Sequence, residues 1–128
     1  MSSKANQKIK ELKAISLTLG GASSTLQSLN QDFKNLKAQV NTSEEYKRLS
    51  EKMKSKDAKV SKDAHKKNNQ LQKDFQEILG AFQNLKKQEQ AFANTIPTKE
   101  QAAKFERDVE NLQTTLVNLP SRVGGYVS

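Results

Sequence analysis

Apolar side chains recur along residues 12–40 as Leu12, Ile15, Leu19, Ala22, Leu26, Leu29, Phe33, Leu36 and Val40, at alternating steps of three and four. A repeat of 3.5 residues keeps one stripe of a helix turned toward a neighbouring helix. The pattern predicts one helix from near Ser3 to about Gln39. Gly20 and Gly21 fall within it, and each costs about 1 kcal/mol relative to alanine. The stripe keeps its phase across them, so the helix is expected to run on. The alternative is a break there that leaves a separate N-terminal helix.

Asn41-Thr42-Ser43 closes this element. Ser43 is a good N-cap for a second helix, with Glu44 and Glu45 in the first turn where the helix dipole favours acids. Tyr46, Leu49, Met53 and Val60 continue an apolar stripe, but Lys56 falls where a core residue belongs, and residues 63–69 are almost wholly polar. The stripe resumes as Leu71, Phe75, Ile78, Phe82, Leu85 and Phe92. Two readings fit: a turn near Lys66–Asn69 separating helices 44–65 and 69–94, or a single helix of 44–94, about 75 Å long at 1.5 Å per residue.

Thr95-Ile96-Pro97 stops the element, because the residue before proline is pushed out of helical geometry. Thr98 and Gln101 have the spacing of a capping box. Ala102, Phe105, Val109, Leu112 and Leu116 then predict a last amphipathic helix to about Asn118, ended by Pro120. The expected organisation is one helical-bundle domain over residues 1–118 and a flexible tail over 119–128. No stretch carries a strand signal. The fold class is all-α: an antiparallel bundle of three to four helices, with an elongated coiled coil as the alternative. Leu12, Ile15, Leu19, Leu26, Leu29, Phe33 and Leu36 form the expected seam of the first helix, and Leu71, Phe75, Ile78, Phe82 and Leu85 that of the later one.

Composition narrows the function. The 128 residues are only 34% hydrophobic and 5% aromatic, enough for seams between helices but not for a thick layered core. A mean hydropathy of −0.85 would fit disorder, but disordered chains do not space their apolar residues this regularly. With two prolines and five glycines, breakers are few and long helices are favoured. The chain has no cysteine, which excludes thiol chemistry and permits a reducing compartment. No apolar run is long enough to span a bilayer, and Met1-Ser2-Ser3-Lys4 lacks the apolar core of a signal peptide.

Net charge is +8, and between Tyr46 and Lys73 ten basic residues face three acids. An electrostatic partner is therefore expected to meet this segment, at Lys47, Arg48, Lys52, Lys59, Lys62 and Lys66. An anionic membrane surface fits such a stretch. Nucleic acid fits less well, because Tyr46 is the one aromatic ring nearby and stacking platforms need several. A solvated helix face is the plainer reading.

Catalysis has little support. His65 is the one histidine and stands among lysines, with no cysteine or second histidine to share a metal or activate a nucleophile. Gly20-Gly21 is not followed by the Lys-Ser/Thr pair of a phosphate-binding loop. No catalytic, metal or cofactor-binding residue is assigned, and a non-enzymatic protein is expected.

The segment Leu71-Gln72-Lys73-Asp74-Phe75-Gln76-Glu77-Ile78-Leu79-Gly80-Ala81-Phe82-Gln83, with Gln88 and Ala91 beyond it, resembles the third helix of the N-terminal three-helix (Habc) domain of syntaxin-type Qa-SNAREs, endosomal and vacuolar branch. Upstream, Thr42 to Met53, with Glu45, Leu49 and Glu51-Lys52-Met53, is similar to the opening of that family's second helix. The resemblance spans about residues 5–94. It lacks the usual loop between the second and third helices, it leaves helix 98–118 outside the three-helix unit, and these 128 residues hold neither a SNARE motif nor a membrane anchor. It implies a regulatory domain of vesicle trafficking and membrane fusion, cytosolic or on the cytosolic face of endosomal or vacuolar membranes. Its groove would hold a SNARE-motif helix or engage a Sec1/Munc18-type protein. Lys52, Lys59, Lys62 and Lys66 would then meet an acidic partner helix.

Overall fold

The computed structural model describes residues 2–128 as four α-helices: α1 (Ser2–Asn41), α2 (Glu44–Met53), α3 (Ala58–Asn94) and α4 (Lys99–Val127). No strand occurs among the described residues. The helices pack as an antiparallel bundle in which α3 runs against the other three. Phe33 of α1 sits between Phe75 and Phe82 of α3, at ring-centroid distances of 6.0 and 5.6 Å. Phe92 near the end of α3 meets Phe105 near the start of α4 at 5.5 Å, and Asp74 meets Arg122 and Tyr126 at the other end. Met53 and Tyr46 of α2 lie beside Ser61 and Asn68 of α3. Since α1 and α4 both oppose α3, they run parallel to each other along their shared seam.

α1 is one helix through Gly20 and Gly21, neither of which adopts a positive φ or has a neighbour where a Cβ would sit. From Ala22 to Val40 its stripe is buried or half-buried, and Leu26, Leu29 and Phe33 join the core with Leu71, Phe75, Ile78, Phe82 and Leu85 of α3. The start of the stripe departs from expectation. Leu12 is 36% exposed, Ile15 is half-buried, and every residue from 3 to 14 faces solvent. The reason is length. The first α1 side chain packed on the core is Leu19, so α3, which ends at Asn94, and α4, which begins at Lys99, leave the earlier turns of α1 uncovered.

Neither reading of residues 44–94 holds. The chain breaks at Lys54–Asp57, and α3 runs unbroken through Lys66–Asn69. Asp57 is the reason: its Oδ1 accepts from the backbone N–H groups of Lys59 and Val60, at 3.0 and 3.3 Å, and caps α3. Ser55 Oγ accepts from the Asp57 N–H at 3.1 Å, and the Ser61 hydroxyl donates to the Met53 carbonyl at 2.8 Å, clamping the corner. Lys56, the misfit in the apolar stripe, is simply in the turn. The single 44–94 rod is therefore replaced by a short α2 folded back on the first turns of α3.

Ser43 caps α2 by accepting from the Tyr46 N–H at 3.1 Å. Thr98 and Gln101 form the capping box of α4, with bonds of 3.1 and 2.9 Å. The end of α4 corrects the expected tail. The helix passes through Pro120 to Val127, with Leu119 fully buried and Val123 5% exposed. Proline removes one backbone donor and disfavours helix, but here a helical continuation places Leu119, Val123 and Tyr126 on the bundle. Burial of that face outweighs the local penalty.

Candidate functional site

Two surfaces stand out. The first is a groove of about 500 Å³ between α3 and α4. Its walls come from two helical stripes at steps of four, three and four: Glu77, Ala81, Asn84 and Gln88 on α3, and Lys104, Asp108, Asn111 and Thr115 on α4. Ile78, Leu85 and Leu112 form its floor. Because the two helices are antiparallel, the stripes face each other over about three turns, roughly 17 Å at 1.5 Å per residue. The walls are close to neutral, since Lys104 pairs with Asp108 at 2.9 Å.

Asp74 closes one end of the groove. It is 3% exposed, the one buried charged residue among those described. Burying a carboxylate without partners is costly, and this one is well supplied. The Tyr126 hydroxyl donates to Oδ2 at 2.7 Å, Arg122 Nη2 donates to Oδ1 at 3.1 Å, and Gln70 Nε2 donates to Oδ1 at 3.2 Å. Tyr126, then the Asp74 charge, hold the Arg122 guanidinium above its ordinary pKa. The network ties the last turns of α4 to the middle of α3. From sequence, Asp74 was one residue of a family-like string, and Arg122 and Tyr126 stood in the supposed tail. No local signal pairs residues 48 and 52 apart.

The second surface is the basic end made by α2 and the first turns of α3. Lys59, Lys62 and Lys66 line one exposed face of α3 around Val60 and Asp63. Lys52 of α2 lies on the neighbouring face, near Val60 and Ala64. Lys47 and Arg48 sit on α2, within 3.5 Å of Glu44 and 3.8 Å of Glu45, pairings of little energetic weight at this exposure. The fold thus gathers the six basic candidates at one end of the bundle. It does not place them along the α3–α4 groove, whose floor begins beyond Asp74. The expected recognition surface, an apolar groove flanked by these lysines, is divided into two places.

The turn between the second and third family-like helices, expected near Lys66–Asn69, lies instead at Lys54–Asp57. Residues 71–83 lie within α3, the middle one of three long helices. Among the described residues, no cluster of three His, Cys, Asp or Glu side chains is placed to hold a metal ion, and His65 is exposed. No described helix is long and apolar enough to cross a membrane. Set against protein-family models, curated proteins and solved structures, the chain finds no match.

Proposed function

We propose that this chain is a non-enzymatic interaction domain that holds an amphipathic partner helix in the α3–α4 groove. The observation that carries the reading is the groove's form: an apolar floor between two polar walls, long enough for a helix of about three turns to lay its i, i+3, i+4 and i+7 side chains on it. A helix is the occupant whose period matches walls that are themselves helical stripes. Asn84, Gln88, Asn111 and Thr115 offer hydrogen bonds at the rim, which fixes register more than it adds affinity.

The finer reading is a regulatory role in vesicle trafficking and membrane fusion, with a SNARE-motif helix or a Sec1/Munc18-type protein as partner. It is supported by the resemblance of residues 71–83 to a syntaxin-type helix, and by an all-α bundle with a helix-sized groove. The resemblance extends to the amphipathic pattern and not to the position of that helix in the bundle, so no family residue role is carried across.

The test is fluorescence anisotropy with labelled helical peptides, a Qa-SNARE motif and a scrambled control among them. Ala81→Arg places a long charged side chain on the groove wall at a half-exposed position. The wild type is expected to bind the SNARE-motif peptide, and the variant to lose at least about tenfold in affinity. Binding that Ala81→Arg leaves unchanged removes the groove as the site. Binding of another amphipathic peptide but not the SNARE motif keeps the groove and removes the trafficking role.

A further inference from the structure

The charge of this molecule sits at its two ends. Residues 4–13 hold four lysines against Glu11, and residues 46–73 hold ten basic residues against three acids. Everything else, residues 1–3, 14–45 and 74–128, holds eight basic residues against ten acids. The whole net charge of +8 therefore belongs to the two end segments. The first segment is the uncovered start of α1, and the second is the α2–α3 corner. α1 runs against α3, so these lie at opposite ends of the bundle, about 60 Å apart at 1.5 Å per helical residue.

The two ends differ in one respect. The α1 overhang is amphipathic: Ile9 is 50% exposed and Leu12 36% exposed, and at 100° per residue they share a face with Ala5 and Ile15. Lys4 falls on one shoulder of that face and Lys13 on the other, with Lys8 within it beside Leu12. The α2–α3 end offers Lys52, Lys59, Lys62 and Lys66, all exposed, around a single partly exposed Val60.

We infer that the chain bridges two anionic lipid surfaces, the α1 overhang lying in one and the α2–α3 corner resting on the other. This goes beyond the groove reading and does not depend on it. Charge complementarity selects the occupant. A second copy would set one basic overhang against another, and like charges oppose that pairing. An apolar stripe with lysines on both shoulders is the form that lies in a membrane interface, its methylenes along the acyl boundary and its ammonium groups among the headgroups. The corner lysines lie along an exposed face and need no shaped counterpart, as suits a diffuse negative surface. Nucleic acid is disfavoured. Residues 3–19 contain no aromatic ring, and Tyr46 at the other end is half-buried with its hydroxyl donating to Asn68 at 3.1 Å.

The experiment uses the full chain with vesicles of one part phosphatidylserine to two parts phosphatidylcholine, with phosphatidylcholine alone as control. Co-sedimentation reads binding and turbidity reads clustering. The wild type is expected to bind and cluster the anionic vesicles only, and to lose both effects at high salt. Ile9→Glu with Leu12→Glu disables one end. Lys52→Glu, Lys59→Glu, Lys62→Glu and Lys66→Glu together disable the other, with an expected loss at that end of roughly a hundredfold or more. Each set should abolish clustering while leaving single-vesicle binding, and the two combined should abolish both. All these positions are exposed, so helicity and thermal midpoint should hold and confirm that the variants fold. The bridge is overturned if the folded wild type binds without clustering, if neither set affects clustering, or if duplex DNA is bound while vesicles are not. A solution mass of twice the chain that falls to one in the Ile9→Glu, Leu12→Glu protein assigns the overhang to a second copy instead. Loss of peptide binding in Ala81→Arg would leave all these readouts untouched, so the two readings fail separately.

Discussion

From Ala22 to Val40 the stripe of α1 is packed into the bundle, with Leu26 3% and Phe33 2% exposed. From Ile9 to Ile15 the same helix carries a similar stripe into solvent, with Leu12 36% exposed. Both halves are helical, and nothing in the spacing separates them. The difference is supply: α3 and α4 provide apolar surface beside the second half and end short of the first. Apolar periodicity states that a helix has a face to cover, and leaves open whether the same chain covers it.

The comparison can be broken most severely by uncovering the second half as well. Removing residues 119–128 deletes Leu119 and Val123 and the Tyr126–Asp74 bond, and lays bare the Leu36–Val40 part of α1. Two fully buried aliphatic side chains at about 1.5–3 kcal/mol each put the loss at about 3–6 kcal/mol. Urea unfolding checks it, and a loss under about 1 kcal/mol would mean that the end of α4 adds little to the bundle.

Matched truncations then sharpen the contrast. Leu26→Ala should destabilise by about 2–5 kcal/mol, because the leucine is enclosed in the core and its cavity cannot fully collapse. Leu12→Ala, seven residues from Leu19 on the exposed portion of the same stripe, should change stability by less than about 0.5 kcal/mol. Equal losses in the two variants would contradict the boundary drawn between the halves. The smallest effect falls where the halves join. Gly20 and Gly21 are helical with open space where a Cβ would stand, so alanine at each should stabilise by roughly 0.5–1 kcal/mol, seen as a raised thermal midpoint.

Local features were the legible part of this chain. The phase-keeping stripe predicted one helix across the glycine pair, and Ser43, Thr98 and Gln101 marked helix starts that hydrogen bonds in the structure make. Asp57 carried a signal of the same kind, a capping residue preceded by Ser55, but the apolar gap at residues 63–69 drew the expected turn further along. That gap has a different cause. α3 is amphipathic there against the ten-residue α2 and little else, so it needs few apolar positions. Pro120 misled for a related reason. Its local preference to stop a helix is real, and the burial of Leu119 and Val123 against residues far off in sequence overrode it.

By itself, the sequence determined that this protein is helical, where most helices begin, and which face of each is apolar. Those properties rest on interactions within a few residues: backbone hydrogen bonds, caps and side-chain spacing. Only the tertiary structure decided which apolar faces find cover, that Asp74 is sealed between α3 and α4, that the basic segment occupies one end and not the groove, and that α1 projects past its neighbours. Each of those depends on the lengths and directions of helices packed side by side, a balance of burial between distant parts of the chain that no local pattern contains.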